Sequence, residues 1–277
     1  MNSQNNNTTP RKIVVTGSNK GLGYEIVAKL LASTTPYEVI LTARNPTLGQ
    51  KALETLRSKY PQSASKVIYH QLDVNDDASA SSFADWVKTT LGHIDVLVNN
   101  AAVARQGETD EGKKFTIQTN FLSLVKLTEK LLPLVSEDGK ILMMSSSLGQ
   151  LSDQGETLRN ALEDSNLDRT KLLQIANNFL EVSKDYKGNQ YTQDPSYPGS
   201  KALLNAYVRY VLTQQVGANQ QVYSICPGWC RTDMGSEQAP LPAEAGADTP
   251  VYLIELPFKR DSELNGKFIT ERKVRSF

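Results

Sequence analysis

Arg11-Lys-Ile-Val-Val-Thr-Gly-Ser-Asn-Lys-Gly-Leu-Gly23 is the stretch from which the fold is read. The β-branched run Arg11 to Val15 predicts a strand, the glycines a tight turn, and Ile26, Val27, Leu30 and Leu31 recur beyond it at helical spacing. Strand, glycine turn and helix in that order are the context of a dinucleotide fingerprint. Gly17, Gly21 and Gly23 let the backbone turn sharply and approach a pyrophosphate, which then sits on the positive end of a helix dipole. The spacing here is GxxxGxG rather than GxGxxG.

The next strand, Glu38 to Thr42, ends in Ala43-Arg44, where an NAD-binding chain would carry an acid for the ribose 2′-hydroxyl. No acid is present. Arg44 and, in the turn, Lys20 instead offer two cations where a 2′-phosphate would lie, which predicts NADP(H) over NAD(H); two solvated surface cations are the alternative. A helix near residues 47–60 leads to a third strand, Lys66 to Leu72, closing on Asp73-Val74. At a strand's carboxyl end, Asp73 faces the ligand side of an open sheet, where it accepts from an adenine amino group or caps the next helix.

Further out, a helix at 78–91 precedes the strand Ile94 to Val98, which ends in Asn99-Asn100-Ala101-Ala102, paired amides suited to close approach of a ligand. A long helix over Glu111 to Val135 has Phe115, Phe121, Leu124, Val125, Leu127, Leu131 and Leu132 as core candidates. Asn120 interrupts it, either simply exposed or kinking the backbone and holding a water. A fifth strand, Lys140 to Met144, delivers Ser145, Ser146 and Ser147 to the cleft. In the segment from Gly149 to Ser196, Asp168 is a plausible cap. Leu172, Ile175, Ala176, Phe179 and Leu180 follow the amphipathic-helix pattern, so the segment is expected to pack on the body. A sixth strand, Gln221 to Ile225, runs into Cys226-Pro-Gly-Trp-Cys-Arg-Thr232. A helix near Ala243 to Glu255 and a strand at Gly266 to Thr270 follow. This alternation predicts an α/β fold: a single Rossmann-type doubly wound domain, about seven parallel strands with helices on both faces.

Tyr197-Pro-Gly-Ser-Lys201 places a phenol and an ammonium one helical turn apart. A neighbouring positive charge favours the phenolate and pulls the tyrosine pKa toward the working range, so Tyr197 is expected to be a usable proton donor.

Composition narrows the classes. The 277 residues are 39% hydrophobic, enough for one large core, and 30 Lys+Arg balance 30 Asp+Glu, leaving no overall field for nucleic acid or anionic lipid. No apolar run approaches the roughly 20 residues of a membrane span. Met1 to Pro10, rich in Asn, Thr, Ser and Gln, reads as a disordered lead-in without a signal-peptide core. Cys226 and Cys230 have no second Cys/His cluster, which predicts reduced thiols in a cytoplasmic protein and no metal site.

Taken together, Thr16-Gly-x-x-x-Gly-x-Gly23, Asn99-Asn-Ala-Ala102, Ser146, Tyr197-x-x-x-Lys201 and Pro227-Gly228 resemble the short-chain dehydrogenase/reductase family along nearly the whole chain and in the family's order. Asn19-Lys20-Gly21, Leu41-Thr-Ala-Arg44, His70-Gln-Leu-Asp73, Asp95-Val-Leu-Val-Asn-Asn100, Pro227-Gly-Trp-Cys-Arg-Thr-Asp-Met234 and Thr249-Pro-Val-Tyr252 are similar to its carbonyl reductase branch. The long spacing between Ser146 and Tyr197, with an insert at about 149–196, fits that branch as well.

The resemblance implies reduction of an aldehyde, ketone or quinone by NADPH. Tyr197 would protonate the carbonyl oxygen, Ser146 would hydrogen-bond it, and Lys201 would lower the tyrosine pKa and bond the nicotinamide ribose. Asn120 would hold a water linking Lys201 to solvent. Ser145 and Ser147 remain slips of register. The resemblance places Gly17, Asn19, Lys20, Gly21, Leu22, Gly23, Arg44, Asp73, Val74, Asn100, Tyr197, Lys201, Pro227, Gly228, Cys230 and Thr232 at NADPH/NADP+. Trp229 would wall the substrate pocket, with ordinary loop packing as the alternative. The family's Asn-Asn-Ala-Gly ends here in Ala102, an added methyl beside the cofactor. An insert over the helices that relatives use to dimerise implies a monomer. Two other readings stand: an NADP-dependent alcohol or hydroxysteroid dehydrogenase working oxidatively, and a non-catalytic NADPH-binding sensor, which would typically have lost Ser146, Tyr197 or Lys201.

Overall fold

β1 (Arg11–Val15) lies in the interior of the sheet, parallel to β2 (Tyr37–Ala43) on one side and β4 (Ile94–Asn99) on the other. Successive side chains of a strand point to opposite faces, so Val14 enters one core while Ile13 and Val15 enter the other. With both faces buried, Ile13 to Val15 form a continuous apolar run, as parallel strands do. The computed structural model describes residues 9–104 and 109–277. The expected lead-in therefore lies, up to Thr8, outside the described residues.

β3 (Lys66–Gln71), β5 (Val135–Met144) and β6 (Gln221–Cys226) extend the sheet; β7 (Cys230–Arg231) and β8 (Leu241–Pro242) form a separate two-residue pairing. β9 (Phe268–Thr270) and β10 (Lys273–Arg275) complete the order β10-β9-β6-β5-β4-β1-β2-β3. Seven of these strands are parallel, as expected, and β10 adds an antiparallel edge to β9. Its two-residue turn, Glu271-Arg272, takes φ of 52° and 60°. Such turns normally carry Asn or Gly, so this sequence offers no signal for the hairpin. Arg272 is held there by Asp248, at 2.5 and 2.7 Å.

α1 (Gly21–Ala32), α2 (Pro46–Lys59) and the helix Asp248–Glu255 cover one face of the sheet. On the other lie α3 (Asp77–Trp86), α4 (Asp110–Ile117) and α5 (Ser123–Leu131), together with α9 introduced below. A wide π-type turn, Gln118–Leu122, joins α4 to α5 and contains Asn120, so the backbone departs from regular helix where the polar interruption stands. The wide turn rephases the two halves: Ile117 lies in the buried stripe with Phe121, while Phe115, expected in the core, is 40% exposed. Helix α5 stops at Leu131 rather than running on to Val135, because Pro133 forms a tighter turn, Leu132–Leu134, and leaves Leu132 only half-buried. β5 accordingly begins at Val135, five residues before the expected start at Lys140.

Between β5 and α9 (Ser196–Ala206) lie α6 (Glu156–Leu162), α7 (Arg169–Asn177) and α8 (Phe179–Val182). Asp168 caps α7 by accepting from Lys171 N at 2.8 Å. The single amphipathic helix expected through Leu180 is broken at Asn178, yet Leu172, Ala176 and Phe179 are buried in the same core as α5 and α9.

Candidate active site

The carboxyl ends of β1, β4, β5 and β6 bring the predicted residues to one edge of the sheet. In the turn after β1, Gly17 and Gly21 have φ of 61° and 55°, the left-handed region that favours glycine. Gly23 is required for a different reason: a Cβ there would stand 2.6 Å from Asn100 Nδ2 and 2.8 Å from the Gly17 carbonyl. α1 opens at Lys20 with no side-chain cap, whereas α2, α3 and α7 are capped by Asn45, Asp76 and Asp168. Its first amides are thus left for an anion, which fits the pyrophosphate of a dinucleotide.

Two residues to which the sequence reading gave no role of their own fasten this turn. Buried Ser18 donates to Val15 O (2.8 Å) and accepts from Thr42 N (3.1 Å), tying the turn to β2. Thr16 Oγ1 accepts from Asn100 N (2.9 Å) and Ala101 N (3.0 Å), tying it to β4. Asn100 Nδ2 in turn donates to the carbonyls of Thr16 (2.9 Å) and Gly17 (3.1 Å), so its amide braces the glycine backbone. Ala101, not Ala102, crowds Gly17. Both Thr16 and Ser18 are polar residues inside the glycine motif, which was the available signal.

Lys20 and Arg44 are exposed. Lys20 Nζ pairs with Asp233 at 2.5 Å, while among the described residues the Arg44 guanidinium enters no ion pair. Asp73 is half-buried and accepts from Asn75 N (2.9 Å); capping of α3 falls to Asp76, so the capping alternative for Asp73 is set aside. Asn19, Leu22 and Val74 are half-buried nearby in sequence. The loop after β6 meets the glycine turn through Thr232, whose methyl would lie 3.5 Å from a Cβ on Gly21. In that loop Pro227 is half-buried, Gly228 has φ of 85°, and Cys230 is buried, which pushes its thiol pKa up.

Tyr197 is half-buried in the first turn of α9, and Lys201 is buried one turn on. Lys201 Nζ donates to Met144 O at 2.7 Å and stands 5.5 Å from the Tyr197 ring centroid. Burial pushes the Tyr197 phenol up to about 12, with the nearby Cys226 adding to the rise and a hydrogen bond with Ser146 opposing it. Burial likewise brings Lys201 down to about 8. Desolvation is the largest influence on both groups, and the Lys201 ammonium is turned to a backbone carbonyl.

The three serines differ in their partners. Ser145 is buried and donates to Lys201 O (3.4 Å), and Ser147 is exposed with its amide on Cys226 Sγ (3.2 Å). Ser146 alone of the three engages the Tyr197 phenol. Close packing holds them together: a Cβ on Gly149 would stand 2.8 Å from Lys201 Cβ. Asn120 is buried, which removes the reading that it is simply exposed; it accepts from Val103 N (2.8 Å) and donates to Val103 O (2.8 Å) and Ser200 Oγ (3.1 Å). Both its donors are thus used within the protein, leaving one carbonyl lone pair for a water. Ser200, inside the Tyr-x-x-x-Lys motif but unassigned from sequence, donates to Tyr197 O (2.7 Å) and links Asn120 to α9. Trp229 is 41% exposed and donates to Gly235 O (2.6 Å).

Residues 11–158 match the family model described as short chain dehydrogenase. The chain is 33% identical to carbonyl reductase [NADPH] 1 of Sus scrofa, over 95% of this chain and 93% of that protein. It is 34% identical to (+)-neomenthol dehydrogenase of Arabidopsis thaliana, over 97% of this chain and 99% of that protein. Among solved structures, salutaridine reductase from Papaver somniferum matches with a TM-score of 0.81 at 30% identity, covering 94% of this chain and 99% of that one.

Proposed function

This chain belongs to the short-chain dehydrogenase family, and from that premise we propose that it is an NADPH-dependent carbonyl reductase, turning an aldehyde, ketone or quinone into an alcohol. The observation that carries the reading is the meeting of Ser146, Tyr197 and Lys201 at the same sheet edge as the uncapped start of α1. The reductase named for its use of NADPH and the salutaridine reductase fold support it.

When bound, NADPH supplies the hydride. Tyr197 gives the proton to the carbonyl oxygen; with its pKa pushed up to about 12 it carries that proton throughout the neutral range. Ser146 donates to the same oxygen and stabilises charge as it develops there. Lys201, brought down to about 8 and buried against Met144 O, is poised to refill the phenol. Asn120 and Ser200 hold the start of α9 in place through Val103 and the Tyr197 carbonyl. Lys20 and Arg44 would take the 2′-phosphate, Lys20 exchanging Asp233 for it. Catalysis in a single chain, in the cytoplasm, completes the reading.

The test is cofactor consumption over quinones, aryl ketones, aldehydes and steroids with NADPH and NADH in parallel. NADPH is expected to be used at least about tenfold better, the equivalent of one phosphate ion pair; equal use of NADH contradicts the assignment of Lys20 and Arg44. The neomenthol dehydrogenase relative favours a second reading, oxidation of a secondary alcohol with NADP+ on the same site. Rates measured in both directions separate the two.

A further inference from the structure

Tyr191 stands at the tip of a tight turn in the last part of the segment preceding α9. Asn189 organises the turn: its amide donates to Thr192 O (3.0 Å), and its side-chain oxygen accepts from Tyr191 N (2.8 Å) and Thr192 N (3.0 Å). Its side-chain nitrogen donates to the Tyr186 hydroxyl at 3.0 Å. Asp194 then locks the exit, accepting from Ser196 N and Ser196 Oγ, both at 2.9 Å. The Tyr191 ring is therefore displayed on braced backbone six residues before Tyr197, with 57% of the residue in solvent.

There it meets Trp229 of the loop after β6 in a T-shaped contact, centroids 5.7 Å apart and planes at 72°. The indole N–H is already taken by Gly235 O, so Trp229 turns only apolar ring surface outward. Two of the charged groups nearby in sequence are engaged within the protein: Asp194 by Ser196, and Arg231 by the carbonyls of Ala239 and Pro240 at 3.0 and 3.2 Å. Two large aromatics joined edge to face and half open to water, the indole N–H turned inward, make a poor core and a good ligand surface. The clasp joins the segment that leads into α9 and Tyr197 to the loop that follows β6, whose last residue, Cys226, accepts from Ser147 N; both of its chains thus run from the candidate site.

Resting on the carbonyl reductase reading, we propose that Tyr191 is a specificity-determining residue. Together with Trp229 it seats the uncharged ring body of a ring-bearing ketone or quinone, whose carbonyl then reaches Ser146 and Tyr197. A linear aliphatic aldehyde leaves the clasp unused.

The experiment compares kcat/KM for a bicyclic ketone or naphthoquinone with that for hexanal in wild type, Tyr191→Ala and Tyr191→Phe. Tyr191→Ala is expected to lose about fivefold to tenfold in the ring-to-linear ratio, the size of one aromatic contact, and to lose it through KM. Hexanal turnover and the KM for NADPH stay unchanged, and Tyr191→Phe keeps the wild-type ratio. An unchanged ratio in Tyr191→Ala, or an equal fall for both substrates, overturns the proposal while leaving the reductase reading intact. A wild type that reduces neither substrate overturns both.

Discussion

At the residue scale the chemistry depends on which way three side chains point. Ser145 turns to Lys201 O and the Ser147 amide to Cys226 Sγ, while Ser146 between them is the serine whose hydrogen bond opposes the rise of the Tyr197 pKa. On the proposed mechanism Lys201 sets the pH behaviour. Its pKa, brought by burial from 10.5 to about 8, marks where the ammonium that refills Tyr197 loses its proton, whereas Tyr197, pushed up to about 12, stays protonated well beyond that point. Reduction requires the protonated forms, so kcat/KM for reduction is expected to be level below pH about 8 and to fall above it. A profile level up to about 10, the ordinary lysine value, would contradict the role given to Lys201. The residue types of the site were legible in the sequence, as were the glycine positions, because each motif carries its own chemistry. The direction of Lys201 toward Met144 O and the grip of Asn120 on Val103 were not, since both depend on backbone brought together from distant parts of the chain.

At the scale of elements the strands were read closely because parallel strands buried on both faces carry contiguous apolar runs, Ile13 to Val15 in β1 and Val96 to Val98 in β4. Ends were read less well. Pro133 cut α5 short, the wide turn at Gln118–Leu122 moved Phe115 to the surface, and Glu271-Arg272 closed a hairpin with residues that give no turn signal. The elements with most bearing on assembly are α6, α7 and α8. α6 and α7 pack on α9, and α8 on α4, occupying surface of both helices. Leu158, Leu172 and Phe179 bury their side chains there, so detaching the segment would expose a large apolar face. Gel filtration is expected to give the mass of one chain; elution at twice that mass contradicts the idea that the segment replaces a partner.

Across the whole molecule one sheet edge does several jobs. Among the described residues no helix is long and apolar enough to cross a membrane. On the proposed reading, recognition rests on local groups: two cations, an uncapped helix, a serine and a tyrosine. The loop after β6 joins them, touching the glycine turn through Thr232, the ion pair through Asp233 and the aromatic clasp through Trp229. Loops of this kind carry specificity, and their contacts are set by tertiary structure rather than by local pattern. The central claim is that Tyr197 is the proton donor. Its most direct test is NADPH-dependent turnover of a ketone or quinone by Tyr197→Phe, with NADPH binding followed separately by thermal shift. The expected result is a loss of about 10²- to 10⁴-fold in kcat with the NADPH-induced shift retained. Undiminished turnover would contradict the account.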